Sequence, residues 1–352
     1  MFVTPMRGTL TALVAVFGLG QLLACERGPA VIRVLTDRTE SNVAPMFAAY
    51  TKATGIRIEP VYLDKGLISR LESRPQEADI VITRDADLLE IARTKGLLQP
   101  YESRRIDQAV PSRFRDKNGT YFSDSYRARV VFYSKDRVRP DDLSTYEDLG
   151  SERWKGRVCI RSGYHDYNLN LFGQMLVSKG PDHTRSFLET LAANLARTPS
   201  GNDRDQAKGI FQGVCDVAIA NSYYMGIMLS SPDQREWGLA TRAFFPDQAG
   251  CGAFILRSGL ALTTARSNVK AARALLEYMV QADTQGFMSK LTYAYPVVPG
   301  LSLPEVNRHL GDGQPGIRDG AFKTCSVPLE AVARERDAVI RMLDEIRFDQ
   351  PR

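Results

Sequence analysis

Histidine is scarce: His165, His183 and His309 are the only three in 352 residues. So small a supply argues against a histidine-based metal cluster and against most histidine-dependent triads. Neither H-E-x-x-H nor G-x-S-x-G occurs, and no C-x-x-C spacing is present to suggest zinc. G-x-G-x-x-G is met as "GDGQPG" at 311–316. It follows no strand, contains Pro315 and opens no clear helix, so it is not a dinucleotide fingerprint. Basic runs of the kind that mark a nucleic-acid tail are missing too. The 46 Lys and Arg stand against 41 Asp and Glu, a net +5. These gaps leave an enzyme as the weak hypothesis and no nucleic acid as the expectation. After the N-terminus no apolar run approaches membrane-spanning length.

The N-terminal run itself is informative. "MFVTPMRGTLTALVAVFGLGQLLAC" carries one positive charge, Arg7, and then an apolar core from Leu10 to Ala24. The core is built like a secretory signal rather than a membrane span. It ends in Leu22-Leu23-Ala24-Cys25, which resembles the bacterial lipobox, in which the cysteine is acylated and becomes the mature N-terminus. Residues 1–24 are therefore expected to be a lipoprotein signal peptide and 25–30 a linker behind a lipid anchor on Cys25. The mature chain would stand in the periplasm, tethered to a membrane, with the net charge reduced to +4 by the loss of Arg7. Four cysteines then remain, Cys159, Cys215, Cys251 and Cys325. An even number in an oxidising compartment suggests two disulfides, with three pairings open.

Along the rest of the chain, short apolar runs alternate with helical periodicity. "VIRVL" (31–35), "IRIEPVYL" and "ADIVIT" (78–83) read as strands. Segments 42–55, closed by Gly55, and 86–96, closed by Gly96, read as helices. The pattern predicts an α/β domain with a mostly parallel sheet. Longer β runs follow at 127–136 and 253–264. Between them "STYEDLGSERWKGRVCIR" reads as helix and strand, followed by two amphipathic helices and the stretch "GVCDVAIANSYYMG". A long helical region, a proline-broken loop and a helical tail complete the chain. Two α/β units joined by two long β runs suit a hinged, two-lobed protein. In open α/β sheets ligands bind beyond the carboxyl ends of strands. The turns at 36–42, 161–168 and 221–226 all sit at such exits. Tyr223 and Tyr224 stand at the last of them.

Several stretches in order, "YTKATGI", "RARVVFYSKD", "LSTYEDLGSERWKGRVCIRS", "GNDRDQ", "GVCDVAIANSYYMG" and "YAYPVVPG", resemble the ferric-ion-binding periplasmic proteins of ABC-type uptake systems. The resemblance runs from about residue 31 to about residue 325. It implies a type II periplasmic-binding-protein fold, α/β with two lobes joined by two crossover β segments, closing on one ligand. With it come an ABC-type permease and ATPase as partners and a monomeric chain. The lobes are expected at 31–128 with 258–310 and at 129–257, with 311–352 a helical tail packed on both. The family's tyrosine pair matches Tyr223 and Tyr224, and its third tyrosine matches Tyr167, with Tyr164 a rival. Phenolates suit ferric iron, a hard and highly charged cation, and a bound cation drives off the phenol proton.

The first lobe departs from the family pattern. A Ser-Arg-His-Tyr-like segment reads "LTDRTESN" here: Arg38 is kept, but Thr39 and Glu40 stand at the histidine and tyrosine positions. A second family glutamate falls near Gly66. The expected metal set is therefore Tyr167, Tyr223 and Tyr224, with Glu40 or an exogenous anion completing it. Glu40 also reads as a solvated helix-start carboxylate. Arg38 reads as a cleft cation or a structural ion pair. Asp203 reads as a helix N-cap, whereas the resemblance makes Asp203 and Arg204 supports for the tyrosines. A rival reading keeps the fold and changes the cargo. Thr39, Phe254 and Leu256, replacing polar groups, lean toward an amphipathic or apolar ligand such as a lipid or sterol. Cys159 and Cys215 each sit in a β run of the second lobe, which favours pairing them and leaves Cys251 for Cys325.

Overall fold

The computed structural model describes residues 31–350 except Arg266, together with Met1 and Phe2. The expected signal peptide, the linker and Cys25 lie outside the described residues. The strands of the first half are β1 Val31–Thr36, β2 Arg57–Tyr62, β3 Ile80–Thr83, β4 Leu98–Gln99, β5 Tyr121–Phe122 and β6 Ser125–Ser134. Those of the second half are β7 Val158–Cys159, β8 Val217–Asn221, β9 Thr241–Phe244, β10 Ala253–Arg257, β11 Gly259–Thr263, β12 Tyr295–Pro296 and β13 Thr324–Cys325.

They form two sheets. The first runs β2-β1-β3-β11-β4, with β5 also on β11; the second runs β13-β10-β6-β8-β7, with β12 and β9 also on β6. In the first sheet β1 is parallel to β2 and β3, and β11 is inserted antiparallel beside β3. β3 is buried along its whole length, as a strand covered on both faces by helices must be. The second sheet is mostly antiparallel. Its central strand β6 arrives from the other lobe and runs against β8, β9, β10 and β12. Counting helices between strands cannot reveal the direction of a strand delivered from elsewhere.

The chain leaves the first sheet at Phe122 and enters the second at Ser125. It returns through the 253–264 run, which is one apolar stretch in sequence but two strands in two sheets, divided at Ser258. The Ser258 N–H donates to the Ser125 carbonyl at 2.9 Å, tying the two crossings together. Gly259 has no room for a side chain there: a β-carbon would lie 2.5 Å from Leu89 Cδ1. The chain touches the second sheet again at Tyr295, and Val306 and Leu310 pack in second-lobe core, although sequence carries the first lobe to residue 310.

Each sheet buries apolar side chains on both faces, the first in clusters around Ile32, Val34 and Ile82 and around Leu35, Val81 and Leu89. The C-terminal helix Leu329–Glu345 adds Val332, Val339 and Leu343 to the second-lobe core. It also packs against helices Asp166–Lys179 and Asp87–Thr94, one from each lobe. Disulfides join Cys159 to Cys215 and Cys251 to Cys325, with Cα separations of 5.8 and 4.9 Å. Where "STYEDLGSERWKGRVCIR" reads as helix then strand, residues 147–154 form two short 3-10 turns instead of a helix. Among the described residues no helix is long and apolar enough to cross a membrane.

Candidate functional site

The tyrosine pair is placed by an abrupt end to β8. All five residues of β8 are buried. Just beyond it the Ser222 N–H donates to the Ala128 carbonyl at 2.9 Å, and the Ser222 hydroxyl accepts from the Ala128 N–H at 3.2 Å. Pairing stops there. Tyr223 takes up helical angles (φ −64°, ψ −22°) ahead of the helix Tyr224–Ser230. In a continued strand the two rings would point to opposite faces. Here they lie together, centroids 4.1 Å apart and tilted by 31°.

Tyr167 reaches the same point from another helix. It is the second residue of helix Asp166–Lys179, whose N-cap is His165. The His165 Nδ1 accepts from the Tyr167 N–H at 3.2 Å, and its ring meets the Tyr167 ring edge-on at 4.6 Å. Burial, then the Arg161 charge, push the His165 imidazole down to about 4, so it is neutral and suited to that acceptor role. The hydroxyls of Tyr167 and Tyr223 are 3.4 Å apart. Tyr164 turns away and donates to Asp344 of the C-terminal helix at 2.6 Å.

Burial first, and then the neighbouring phenols, raise the Tyr223 hydroxyl well above its ordinary value. Burial and Tyr167 raise that of Tyr224 as well. Both are therefore neutral phenols at pH 7. Guanidinium carbons of Arg127 and Arg161 each lie 5.1 Å from the Tyr167 ring centroid, and Arg204 lies 5.9 Å from that of Tyr224.

Behind the tyrosines is a fully buried polar network centred on Asp203. Its carboxylate accepts from Arg129 at 2.9 Å, from Arg161 at 3.1 Å and from the Asn221 N–H at 2.8 Å. Arg129 also donates to the Asn168 side chain at 2.6 Å, and Asn168 donates to the Arg161 and Ser162 carbonyls at 3.1 and 3.0 Å. One carboxylate thus fixes the end of β8, the middle of β6 and the loop before Tyr167. Asp203 is not the N-cap that the sequence suggests. Asn202 caps the helix, with Asp205 completing the capping box, and this frees the Asp203 side chain to point inward.

The first lobe faces the phenols with arginines. Arg38 makes a two-pronged pair with Asp124 of the crossing segment, at 2.9 and 2.6 Å. Arg127, on β6, reaches across to Asp85 at 2.6 Å. Arg84 lines the cleft with a looser partner, Asp37, at 3.7 Å. Thr39 and Glu40 are exposed and are not among the cleft-lining residues. Glu40 lies instead near Tyr62, whose phenol it helps burial to raise. Phe254 is buried against Tyr146 with ring centroids 5.5 Å apart, and Leu256 is fully buried; neither lines the cleft.

Arg84, Arg127, Arg129 and Arg161 were not singled out from sequence, yet a signal existed. In "RARVVFY" two arginines stand two apart in an apolar strand, which puts both on one buried face. A charge so placed demands a partner. A second unused signal is Asp85 followed by Asp87. Both are buried and both carboxyls are raised by that burial, Asp87 to about 7.

A cleft between two α/β lobes, lined by phenols from one and paired arginines from the other, defines a two-lobed solute-binding protein. Residues 76–316 match the family described as bacterial extracellular solute-binding protein. The chain is 33% identical over 310 residues to iron uptake protein A1 of Synechocystis sp., covering 83% of this chain and 86% of that one. The apo ferric ion-binding protein A of Pasteurella haemolytica superposes with a TM-score of 0.83 at 35% identity, over 91% of this chain and 98% of that one. A Trichodesmium protein solved with iron and citrate gives 0.82 at 31%, over 91% and 100%. The chain belongs to the ferric-ion-binding periplasmic proteins within that family and has their type II periplasmic-binding-protein fold. It is a transport protein and not an enzyme.

Proposed function

We propose that the chain captures ferric iron in the interlobe cleft, with Tyr167, Tyr223 and Tyr224 as its phenolate ligands, and passes it to an ABC-type permease and ATPase. The observation that carries this is the meeting of the Tyr167 and Tyr223 hydroxyls at 3.4 Å, with the Tyr224 ring tilted against that of Tyr223. Three phenolates neutralise the three charges of the cation, and hard anionic oxygen is what that cation prefers. On binding, each phenol loses its proton to solvent and its oxygen holds the cation as phenolate. Asp203 holds the second-lobe half in register, and Arg204 lies over Tyr224. The remaining positions fall to an exogenous anion drawn by Arg84, whose carboxylate partner is loose. Glu40 is exposed and supplies no ligand in this arrangement. Closure is a population shift, because the cargo touches both lobes only when they are together.

The lipid tether on Cys25 belongs to the same proposal and keeps the chain beside its transporter. An apolar cargo such as a lipid or sterol loses its support, since Phe254 and Leu256 are core residues. Elemental analysis and native mass spectrometry of protein taken from its own periplasm test the reading. One iron per chain is expected, on a chain beginning at an acylated Cys25. An organic adduct without iron would overturn the cargo assignment.

A further inference from the structure

Residue 293 is a tyrosine held in the left-handed region, φ 58° and ψ 15°, where it ends the helix Ala282–Thr292. A bulky side chain there is strained and persists only where its surroundings fix it. The fixing contact lies across the lobe boundary. The Tyr293 ring sits directly on the backbone of Gly226, where a β-carbon would come 2.2 Å from the ring's Cγ. The Tyr293 and Ser230 hydroxyls are 2.5 Å apart, and the Tyr293 carbonyl accepts from Asn307 Nδ2 at 2.9 Å. Gly226 and Ser230 are four residues apart, on one face of the helix Tyr224–Ser230. The neighbours of Tyr293, Thr292 and Ala294, line the cleft. The helix before it is anchored in first-lobe core through Met288.

A helix of seven residues cannot hold its own position. Met225 and Met228 secure one side of this helix in second-lobe core. Tyr293 secures another side, from the other lobe. Tyr223 is the cap of the same helix and Tyr224 its first residue. A shift of the helix therefore moves both phenols relative to Tyr167.

We infer that Tyr293 is a positioning residue for the tyrosine pair. Its ring, seated on Gly226, sets the place of helix 224–230 and couples that helix to the first lobe. Tyr293 itself is not among the cleft-lining residues. The inference rests on the ferric reading of the cleft, but one of its readouts does not.

The full chain is compared as wild type, Y293N, Y293F and G226A. Asparagine tolerates the left-handed conformation, so Y293N removes the ring and spares the backbone. In metal-free protein, Y293N is expected to speed amide hydrogen exchange in 224–230 while leaving 166–179 unchanged. With ferric nitrilotriacetate, Y293N is expected to weaken binding on the order of tenfold and to shift the phenolate-to-iron absorption band. Y293F is expected to restore both, because it keeps the ring. G226A keeps the tyrosine but expels the ring, and is expected to behave as Y293N; it decides the matter if Y293N does not fold. Wild-type protein that binds no ferric iron would defeat the ferric reading, and the exchange data alone would then decide the positioning claim. Unchanged exchange in both Y293N and G226A overturns the inference. So does faster exchange with an unmoved band, which would make Tyr293 a packing residue only.

Discussion

Replacing Asp203 by asparagine tests the frame behind the tyrosines. The Asp203 carboxylate is fully buried and pairs with Arg129, itself fully buried, and with Arg161. D203N keeps the shape and one acceptor for the Asn221 N–H but leaves two guanidinium charges without their counter-charge. Removing one partner of a buried pair costs about 3–5 kcal/mol, because the other charge is stranded. The chain has two tryptophans. Trp154 and Trp237 both pack in second-lobe core, so tryptophan fluorescence reports the unfolding of that lobe alone. With a urea dependence of about 1.5 kcal/mol per molar for a lobe of this size, the midpoint should fall by about 2–3 M. A fall of under about 0.5 M, or under 1 kcal/mol on the same slope, would refute the reasoning. It would mean that the arginines are solvated or paired elsewhere.

The Asp87 carboxyl is raised to about 7 by burial and by Asp85, against the pull of Arg336. A carboxyl raised in the folded state costs stability above its folded pKa and less as pH falls through it. D87N should therefore stabilise the protein by about 4 kcal/mol at pH 8, by about 1–2 kcal/mol at pH 5 and by under about 1 kcal/mol at pH 4, measured as urea midpoints. Glu40, exposed and outside the cleft lining, can be changed to glutamine with ferric affinity within about twofold of wild type, or 0.4 kcal/mol, by competitive titration. Loss of the Cys251–Cys325 disulfide in C251S/C325S opens a loop with a sequence separation of 74. The chain-entropy estimate for such a loop is about 4 kcal/mol, to be read as a lowered thermal midpoint without reductant, the Cys159–Cys215 bond remaining intact.

Much of the second-lobe site was legible because its signals are local. An apolar strand followed at once by two tyrosines marks an exit where both rings serve one purpose. The expected helix 42–55 begins two residues earlier, at Glu40, and stops at Gly55 in the left-handed conformation. What sequence could not supply were partners from distant segments. Asp203 meets Arg129 and Arg161 from 74 and 42 residues away, and no periodicity encodes that. The split of 253–264 between two sheets had only Ser258-Gly259 as a break signal. The first-lobe substitutions at Thr39 and Glu40 were visible as letters. That Glu40 points to solvent and that Phe254 and Leu256 belong to the core depended on packing that letters do not carry.

In the proposed site three phenols from one lobe share one ferric ion. Titrating metal-free protein with ferric nitrilotriacetate, while recording the visible spectrum, tests it most directly. A phenolate-to-iron charge-transfer band that saturates at one iron per chain, weakened in Y167F and abolished in Y223F/Y224F, is the predicted result. A colourless wild-type protein, or a band that survives loss of the tyrosine pair, would contradict it.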